Sequence, residues 1–381
     1  MNDKIKLLVA VDTYYPKIDG TLKFVEEFVK RSKDDFEIHM LVPNFQGKKS
    51  NSKITFLDVS KVVKTSGYSS IKLLSISNFL KIYRAVKNSD IVFAQGPALL
   101  TTLTILFSKI LRKKCVYYMH VKIWEFFKNF LVTPITKMLY IVMKPVIKIS
   151  LNLCSLIIIP YHELQEELVK EGIRTEIKIA RLGVDIDKFK PVFNNSEAKK
   201  KVGIKAHDKV IGYVGRISNE KNLQMLLDAF NKIDIDNKTL LIVGDGNSEI
   251  IDELNKVKKC KVTGFVKNVE DYLKAMDVFV MPSKTETTSL ATLEAMSSGL
   301  PVLVTKVGFI KNYIVKDYNG IFIARNNSEL LTLKIEKILE DEIHREKISY
   351  NARKTVAYSF SWDRSINRIK RILKKKFYED K

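Results

Sequence analysis

The chain has 381 residues, enough for two or three domains, and 46% of them are hydrophobic, enough for packed cores. A formal net charge of +22 favours an anionic partner: nucleic acid, an acidic membrane face or a phosphorylated substrate. No run of 18 uncharged apolar residues suits a transmembrane helix, Ile5–Val11 is too short for a signal peptide, and Cys115, Cys154 and Cys260 are too scattered for a disulfide frame or zinc site, so reduced core thiols in a cytosolic chain are expected.

Ile5 to Val11 has the pattern of a buried strand. A loop, Asp12 to Thr21, leads into a helix expected over about Leu22 to Lys30, with Phe24, Val25 and Phe28 as its apolar stripe. Gly20, just before that helix, is either a plain turn glycine or a place where the backbone approaches a diphosphate. Strands are expected at Phe36–Val42, Lys53–Val59 and Ile91–Ala94, with an amphipathic helix at Asn78–Val86. This alternation fits a doubly wound α/β domain.

From Ile91 to His162 the chain carries one acid, Glu125, and nine basic residues. Lys122, Trp124, Phe127, Lys128, Lys137, Lys144 and Lys148 give this stretch the composition of an interfacial membrane anchor, lysines snorkelling above aromatics. The alternative is a helix pair packed in the core with a basic outer face. Pro134 and Pro145 are expected to cut the region into short helices. Val116 to His120 ends a strand, which places His120 at the C-terminal rim of the sheet. Leu156–Ile159 and Ile177–Ala180 are the last strands of this half.

In the second half, Val210–Val214 is a strand followed by Gly215-Arg216-Ile217-Ser218-Asn219-Glu220-Lys221-Asn222, and Leu223 begins a helix. Arg216 and Lys221 are two cations at a strand end and helix start, either solvated or suited to a diphosphate. Asp277 to Gly308 reads as strand, polar loop, helix and strand, the repeating unit of a parallel sheet. Glu286 lies in its loop and Glu294 in its helix, eight positions apart. Either they are solvated charges, or they are acceptors for vicinal sugar hydroxyls beside a phosphate-seeking helix N-terminus. From Arg364 to Phe377 seven basic residues and no acid flank an apolar stripe, the pattern of a basic amphipathic helix.

Pro282-Ser283, Glu286, Glu294-Ala295-Met296 and Gly299-Leu300-Pro301-Val302 together resemble the Glu-x7-Glu segment of retaining GT-B glycosyltransferases of family 4, or group 1. Gly215 to Asn222 resembles the Gly-Arg-x-x-x-Glu-Lys-Asn diphosphate motif of that family, and Gly244-Asp245-Gly246 its Val-Gly-Asp-Gly turn. Gly183 to Pro191 resembles its interdomain hinge, and Phe360-Ser361-Trp362 its aromatic crossover junction. Ser289 stands where the family usually has glycine, and Gly308-Phe309 where it usually has Gly-Gly. His120 and the basic–aromatic stretch after it look like the family's lipid-acting members.

The resemblance implies two Rossmann-like domains facing a central cleft: residues 1–190, with 357–381 crossing back to them, on the acceptor side, and residues 191–356 on the donor side. It implies transfer of a sugar from a UDP- or GDP-sugar to a hydroxyl with retention, the nucleotide sugar being a co-substrate and no cofactor or metal obligatory. Glu286 would hold the donor sugar, Glu294 the ribose, and Arg216 and Lys221 the diphosphate. Gly20, Gly215, Val266, Ser289 and Leu290 would line the donor, and His120 would position acceptor or donor sugar. With the basic charge, this makes a lipid acceptor at the cytoplasmic membrane surface the expectation. A soluble or polysaccharide acceptor and a nucleotide-sugar epimerase are the alternatives. Nucleic acid is not an expected partner, because the basic residues alternate with aliphatics and no nucleic-acid module is present.

Overall fold

The computed structural model describes residues 4–16, 19–65, 68–72, 74–96, 98–120 and 134–379. They form two units, Met1–Arg181 with Asp363–Lys381, and Leu182–Trp362.

The first unit is built on β1 (Ile5–Val11), β2 (Phe36–Asn44), β3 (Ile54–Thr65), β4 (Tyr68–Ile71), β5 (Ile91–Gln95), β6 (Lys114–Tyr118), β7 (Leu156–Ile159) and β8 (Ile177–Ile179). Their order in the sheet is β4-β3-β2-β1-β5-β6-β7-β8. The pairings from β3 to β8 are parallel, and β4 adds an antiparallel edge to β3. β5 is buried at every position and β1 at all but Lys6, because helices cover both faces of a parallel sheet. The helix Gly20–Ser32 buries Phe24, Val25 and Phe28, the stripe its spacing predicts.

The helix Pro134–Leu153 corrects one expectation. It runs through Pro145 without dividing. Pro134 is its first residue, where a proline costs no helical hydrogen bond, and an interior proline removes only one bond from a helix long enough to keep the rest. Lys137 lies in this helix, while Lys122, Trp124, Phe127 and Lys128 lie outside the described residues. Among the described residues, no helix is long and apolar enough to cross a membrane.

The basic C-terminal helix, Trp362–Tyr378, buries Ile366, Ile369 and Leu373. Several of its cations are satisfied within the first unit. Lys370 and Lys374 reach the two oxygens of Asp35 at 2.7 and 2.6 Å, and Lys376 reaches Glu176 at 3.1 Å. Burial raises Asp35, but the two lysines outweigh it and hold it below the usual carboxylate range, and Glu176 is held below it by Lys178 first and then by Lys376. Part of the charge surplus at this end therefore serves packing.

The second unit is a six-stranded parallel sheet of β9 (Lys209–Val214), β10 (Lys238–Val243), β11 (Cys260–Val262), β12 (Val278–Met281), β13 (Val302–Thr305) and β14 (Ile321–Ile323), ordered β11-β10-β9-β12-β13-β14. Residues 182–190 belong to this unit. Val184 pairs with Phe360 and Trp362 through backbone bonds of 2.7 and 3.2 Å, and a Cβ on Gly183 would lie 2.7 Å from the Trp362 backbone. Arg353 donates to the carbonyls of Ile186, Phe189 and Ser297 at 3.0, 2.9 and 2.9 Å, fastening the same segment to the helix Leu290–Ser297.

In each sheet the strand order reverses once, between β1 and β5 and between β9 and β12. Such a reversal opens a crevice beyond the carboxyl ends of the strands, where open α/β sheets bind ligands. Loops after those four strands carry most of the residues that matter below.

Candidate functional site

The loops after β9 and β12 meet at the reversal point of the second unit. Lys221 ends a short 3-10 turn, Asn219–Lys221, after β9, and Glu286 sits in the loop after β12. The Lys221 ammonium lies 2.7 Å from Glu286 Oε1, with side chains 18% and 9% exposed. Ser283 Oγ donates to the same carboxylate oxygen at 2.9 Å. The backbones are tied as well, Lys284 N donating to the Glu220 carbonyl at 2.8 Å.

The far side of the Glu286 loop is held equally firmly. Phe309 N donates to the Thr287 carbonyl at 2.7 Å, and Tyr313 hydroxyl to the Thr288 carbonyl at 2.8 Å. Gly308, at φ +52°, packs so closely that a Cβ would lie 1.8 Å from the Glu286 carbonyl oxygen. Glu286 is thus pre-positioned by bonds from two neighbouring loops, which keeps reorganisation small when a ligand arrives.

Arg216 takes a different partner. Its guanidinium lies 2.6 Å from Glu220, and it stays half in solvent at 56% exposure. Glu220 is pushed up by burial, but backbone hydrogen bonding and the Arg216 charge outweigh this and hold it below the usual carboxylate range. The carbonyl of Arg216 accepts from Tyr213 hydroxyl at 2.9 Å. Burial first, then the charges of Glu286 and Glu220, drive the Tyr213 phenol well above its ordinary pKa, so it remains a donor.

Three glycines let this rim close on itself. A Cβ on Gly244 would lie 1.9 Å from the Gly215 carbonyl oxygen, and one on Gly246 would lie 2.0 Å from that of Ile217. Gly215 N donates to the Val243 carbonyl at 3.0 Å, and a bridge joins Gly244 to Gly264. Val266, half-buried, follows Gly264 in that third loop.

Ser289 is the N-cap of the helix Leu290–Ser297 at φ +56°, the left-handed region that glycine tolerates best. Its hydroxyl bonds Thr292 Oγ1 at 2.8 Å, and no side chain caps the helix. Leu290 is the first helical residue, and Glu294 is buried at 6% exposure. Arg216, Lys221, Glu286, Ser289, Leu290, Gly215 and Val266 therefore occupy one rim of one sheet. The supporting roles of Ser283, Glu220, Thr292 and Gly308 are visible only in the structure, although Ser283 and Glu220 stand inside the motifs that carry the family resemblance.

In the first unit, His120 lies two residues beyond β6, buried, with Nε2 2.5 Å from Gln95 Oε1. Phe24 and Tyr118 flank it, ring centroids 4.9 and 4.5 Å away. Burial lowers its pKa to about 3, so the ring is neutral at physiological pH. Gly20 opens the helix that carries Phe24, and Asp19 caps that helix by accepting from Leu22 N at 2.9 Å.

Asp12, after β1, occupies the N-terminus of the helix Leu99–Ile110. It accepts from the N–H groups of Ala98 and Leu100 at 2.9 and 3.1 Å and from Thr101 hydroxyl at 2.5 Å. Burial nevertheless pushes it up to about 6. That helix end already holds a carboxylate, so of the two reversal points the second unit's has the open chemistry. Lys144 and Lys148 share the acid Glu171, at 2.9 and 3.5 Å.

Among solved structures, the Anabaena Alr3699/HepE protein in complex with UDP superposes with a TM-score of 0.77 over 97% of this chain and 100% of that one, at 20% identity. The fold is GT-B, two Rossmann-like domains. Residues 194–355 match the family model of Glycosyl transferases group 1. Residues 194–355, within the second unit, are thus similar to the group 1 glycosyltransferases, a family of transferases. It is 30% identical over 57% of its length to the UDP-Gal:alpha-D-GlcNAc-diphosphoundecaprenol alpha-1,3-galactosyltransferase of Escherichia coli, covering 59% of that protein. It is 30% identical over 45% of its length to the alpha-monoglucosyldiacylglycerol synthase of Acholeplasma laidlawii, covering 47%. The matched stretch thus spans about half the length of these curated relatives.

Proposed function

We propose that the chain is a retaining glycosyltransferase that moves a sugar from a UDP- or GDP-sugar to a hydroxyl of a membrane-lipid acceptor at the cytoplasmic membrane surface, without an obligatory metal. The observation that carries the reading is the Lys221–Glu286–Ser283 cluster at the reversal point between β9 and β12, within the group 1 domain. Glu286 accepts hydroxyls of the donor sugar, and Glu294 those of the ribose. Lys221 spans the Glu286 carboxylate and the diphosphate, and Arg216 meets the diphosphate from the solvent side. Both cations neutralise charge as the bond to the leaving group breaks. Gly20, Gly215, Val266, Ser289 and Leu290 bring backbone close to the donor. His120 positions the acceptor or the sugar.

For the acceptor, two relatives bear names with a polyprenyl diphosphate and a diacylglycerol in them. The helices Leu99–Ile110 and Pro134–Leu153 pack together and leave Leu106, Ile110, Val146 and Ile149 at 44, 62, 40 and 60% exposure, with Lys109 exposed beside them. Apolar side chains beside an exposed lysine support an interfacial face.

A panel of nucleotide sugars tests the donor half: one of them should raise the melting temperature of the wild type, and much less that of Lys221→Ala. Radiolabelled donor offered with diacylglycerol, polyprenyl phosphate and soluble sugars tests the acceptor half, and the anomeric configuration of the product tests retention. Labelled product confined to soluble acceptors, or absence of sedimentation with anionic vesicles at low salt, would sink the lipid reading. Isomerised sugar formed without acceptor would make the protein an epimerase.

A further inference from the structure

Gln95 is the last residue of β5 and fully buried. Its register partner on β6 is Tyr118, so strand alternation places Gln95, Tyr118 and His120 on one face of the sheet, under the helix that carries Phe24. The amide oxygen meets His120 Nε2 at 2.5 Å. Among the described residues the amide nitrogen has no partner, and neither does the buried hydroxyl of Thr13, two residues after the register partner of Gln95 on β1, Val11.

A neutral imidazole carries one proton, and a carbonyl oxygen can only accept. The proton therefore sits on Nε2, and Nδ1 keeps a lone pair. A carboxylate in place of Gln95 would draw the ring towards its cation. An amide orients the ring without charging it.

We infer that Gln95 is a positioning residue: it fixes the Nε2–H tautomer of His120 and so makes Nδ1 the acceptor that the ring offers to a reactant hydroxyl. This rests on the reading of His120 as a residue beside the reacting groups. An amide is suited to this role because the ring must accept a hydrogen bond while staying neutral. The amide N–H groups add further hydrogen-bonding capacity beside it.

The test is the long-range 1H–15N correlation spectrum of the full chain labelled at histidine, with His120 assigned by its loss in His120→Asn. The wild type should show the Nε2–H pattern down to pH 5. Gln95→Leu should give a tautomer mixture, and Gln95→Glu a doubly protonated ring at a pH where the wild type is neutral. In transfer assays Gln95→Leu should lower kcat about tenfold, the scale of a misplaced proton acceptor, with KM little changed. An Nδ1–H pattern in the wild type, or an unaltered tautomer in Gln95→Leu, would overturn the inference. The spectrum needs no substrate, so a wild type that shows the Nε2–H pattern but transfers no sugar would count against the glycosyltransferase reading alone.

Discussion

Lys221 and Glu286 stand 2.7 Å apart although 65 residues separate them in the chain. Their loops follow β9 and β12, which are non-consecutive in sequence and adjacent in the sheet. Removing one partner leaves the other charge buried without its counter-ion, a loss on the order of 3 kcal/mol. Lys221→Ala should therefore destabilise the protein by about that much, and Lys221→Ala with Glu286→Gln should recover about half of it. Urea denaturation of the wild type, both single variants and the double measures the coupling. Strictly additive losses would mean that the ion pair contributes nothing to stability.

Ser289 combines a left-handed backbone with a useful hydroxyl. The left-handed conformation costs a non-glycine residue about 1–2 kcal/mol, and the bond to Thr292 returns about 0.5–1.5 kcal/mol. Ser289→Gly loses the bond and relieves the strain, so it should stay within about 1 kcal/mol of the wild type. Ser289→Ala loses the bond and keeps the strain, so it should be the less stable of the two. Thermal denaturation gives the order, and alanine above glycine would contradict it. If the hydroxyl also shapes the donor pocket, Ser289→Gly will change the ranking of donor sugars.

Two glycines with similar φ should respond very differently to alanine. Gly308 has φ +52° and Gly264 φ +68°. Around Gly264 nothing lies within 4 Å of an added Cβ, so Gly264→Ala should cost only the strain, about 1–2 kcal/mol. At Gly308 the same Cβ would lie 1.8 Å from the Glu286 carbonyl oxygen, so the loop must move. Gly308→Ala should lose at least tenfold in nucleotide-sugar affinity, the scale of about 1.4 kcal/mol, through displaced Glu286. Calorimetric titration of both variants provides the comparison, and equal affinities would show that the loop absorbs the shift.

Asp12 has the opposite pH signature from a salt-bridged acid. Its carboxyl is held at about 6, above the ordinary 3.8, by burial. The folded state therefore favours the protonated form. The resulting stabilisation is complete below about pH 4 and is lost as pH rises through 6, an effect on the order of 3 kcal/mol for a shift of about two units. Asparagine cannot ionise at this position. The melting temperature of the wild type minus that of Asp12→Asn should fall steadily between pH 4 and 7. A constant difference would mean that the hydrogen bonds to Asp12 balance its burial.

Much of this protein was legible in the chain. The strands Ile5–Val11, Val278–Met281 and Val302–Thr305 have the bounds that their apolar runs predict, because a buried parallel strand is apolar on both faces and ends where the turn residues begin. The helices Leu99–Ile110 and Glu342–Ser359 were not legible. The first is apolar nearly all round and the second has a weak stripe, so neither shows the period of a half-exposed helix. The interior proline misled in the other direction, since a helix twenty residues long keeps enough bonds to span it.

By itself the sequence determined the parallel α/β architecture, the family wording around Glu286 and Lys221, and the excess of positive charge. Those are properties of local pattern and composition, written in neighbouring residues. Only the tertiary structure decided which charges are spent on one another. It joins Lys370 and Lys374 to Asp35, Lys144 and Lys148 to Glu171, Arg216 to Glu220, and Lys221 to Glu286. It also hides Asp12 at a helix end and sets Gln95 against His120. Side-chain pairing depends on which strands lie side by side, and strand order in a doubly wound sheet is not the order of the chain.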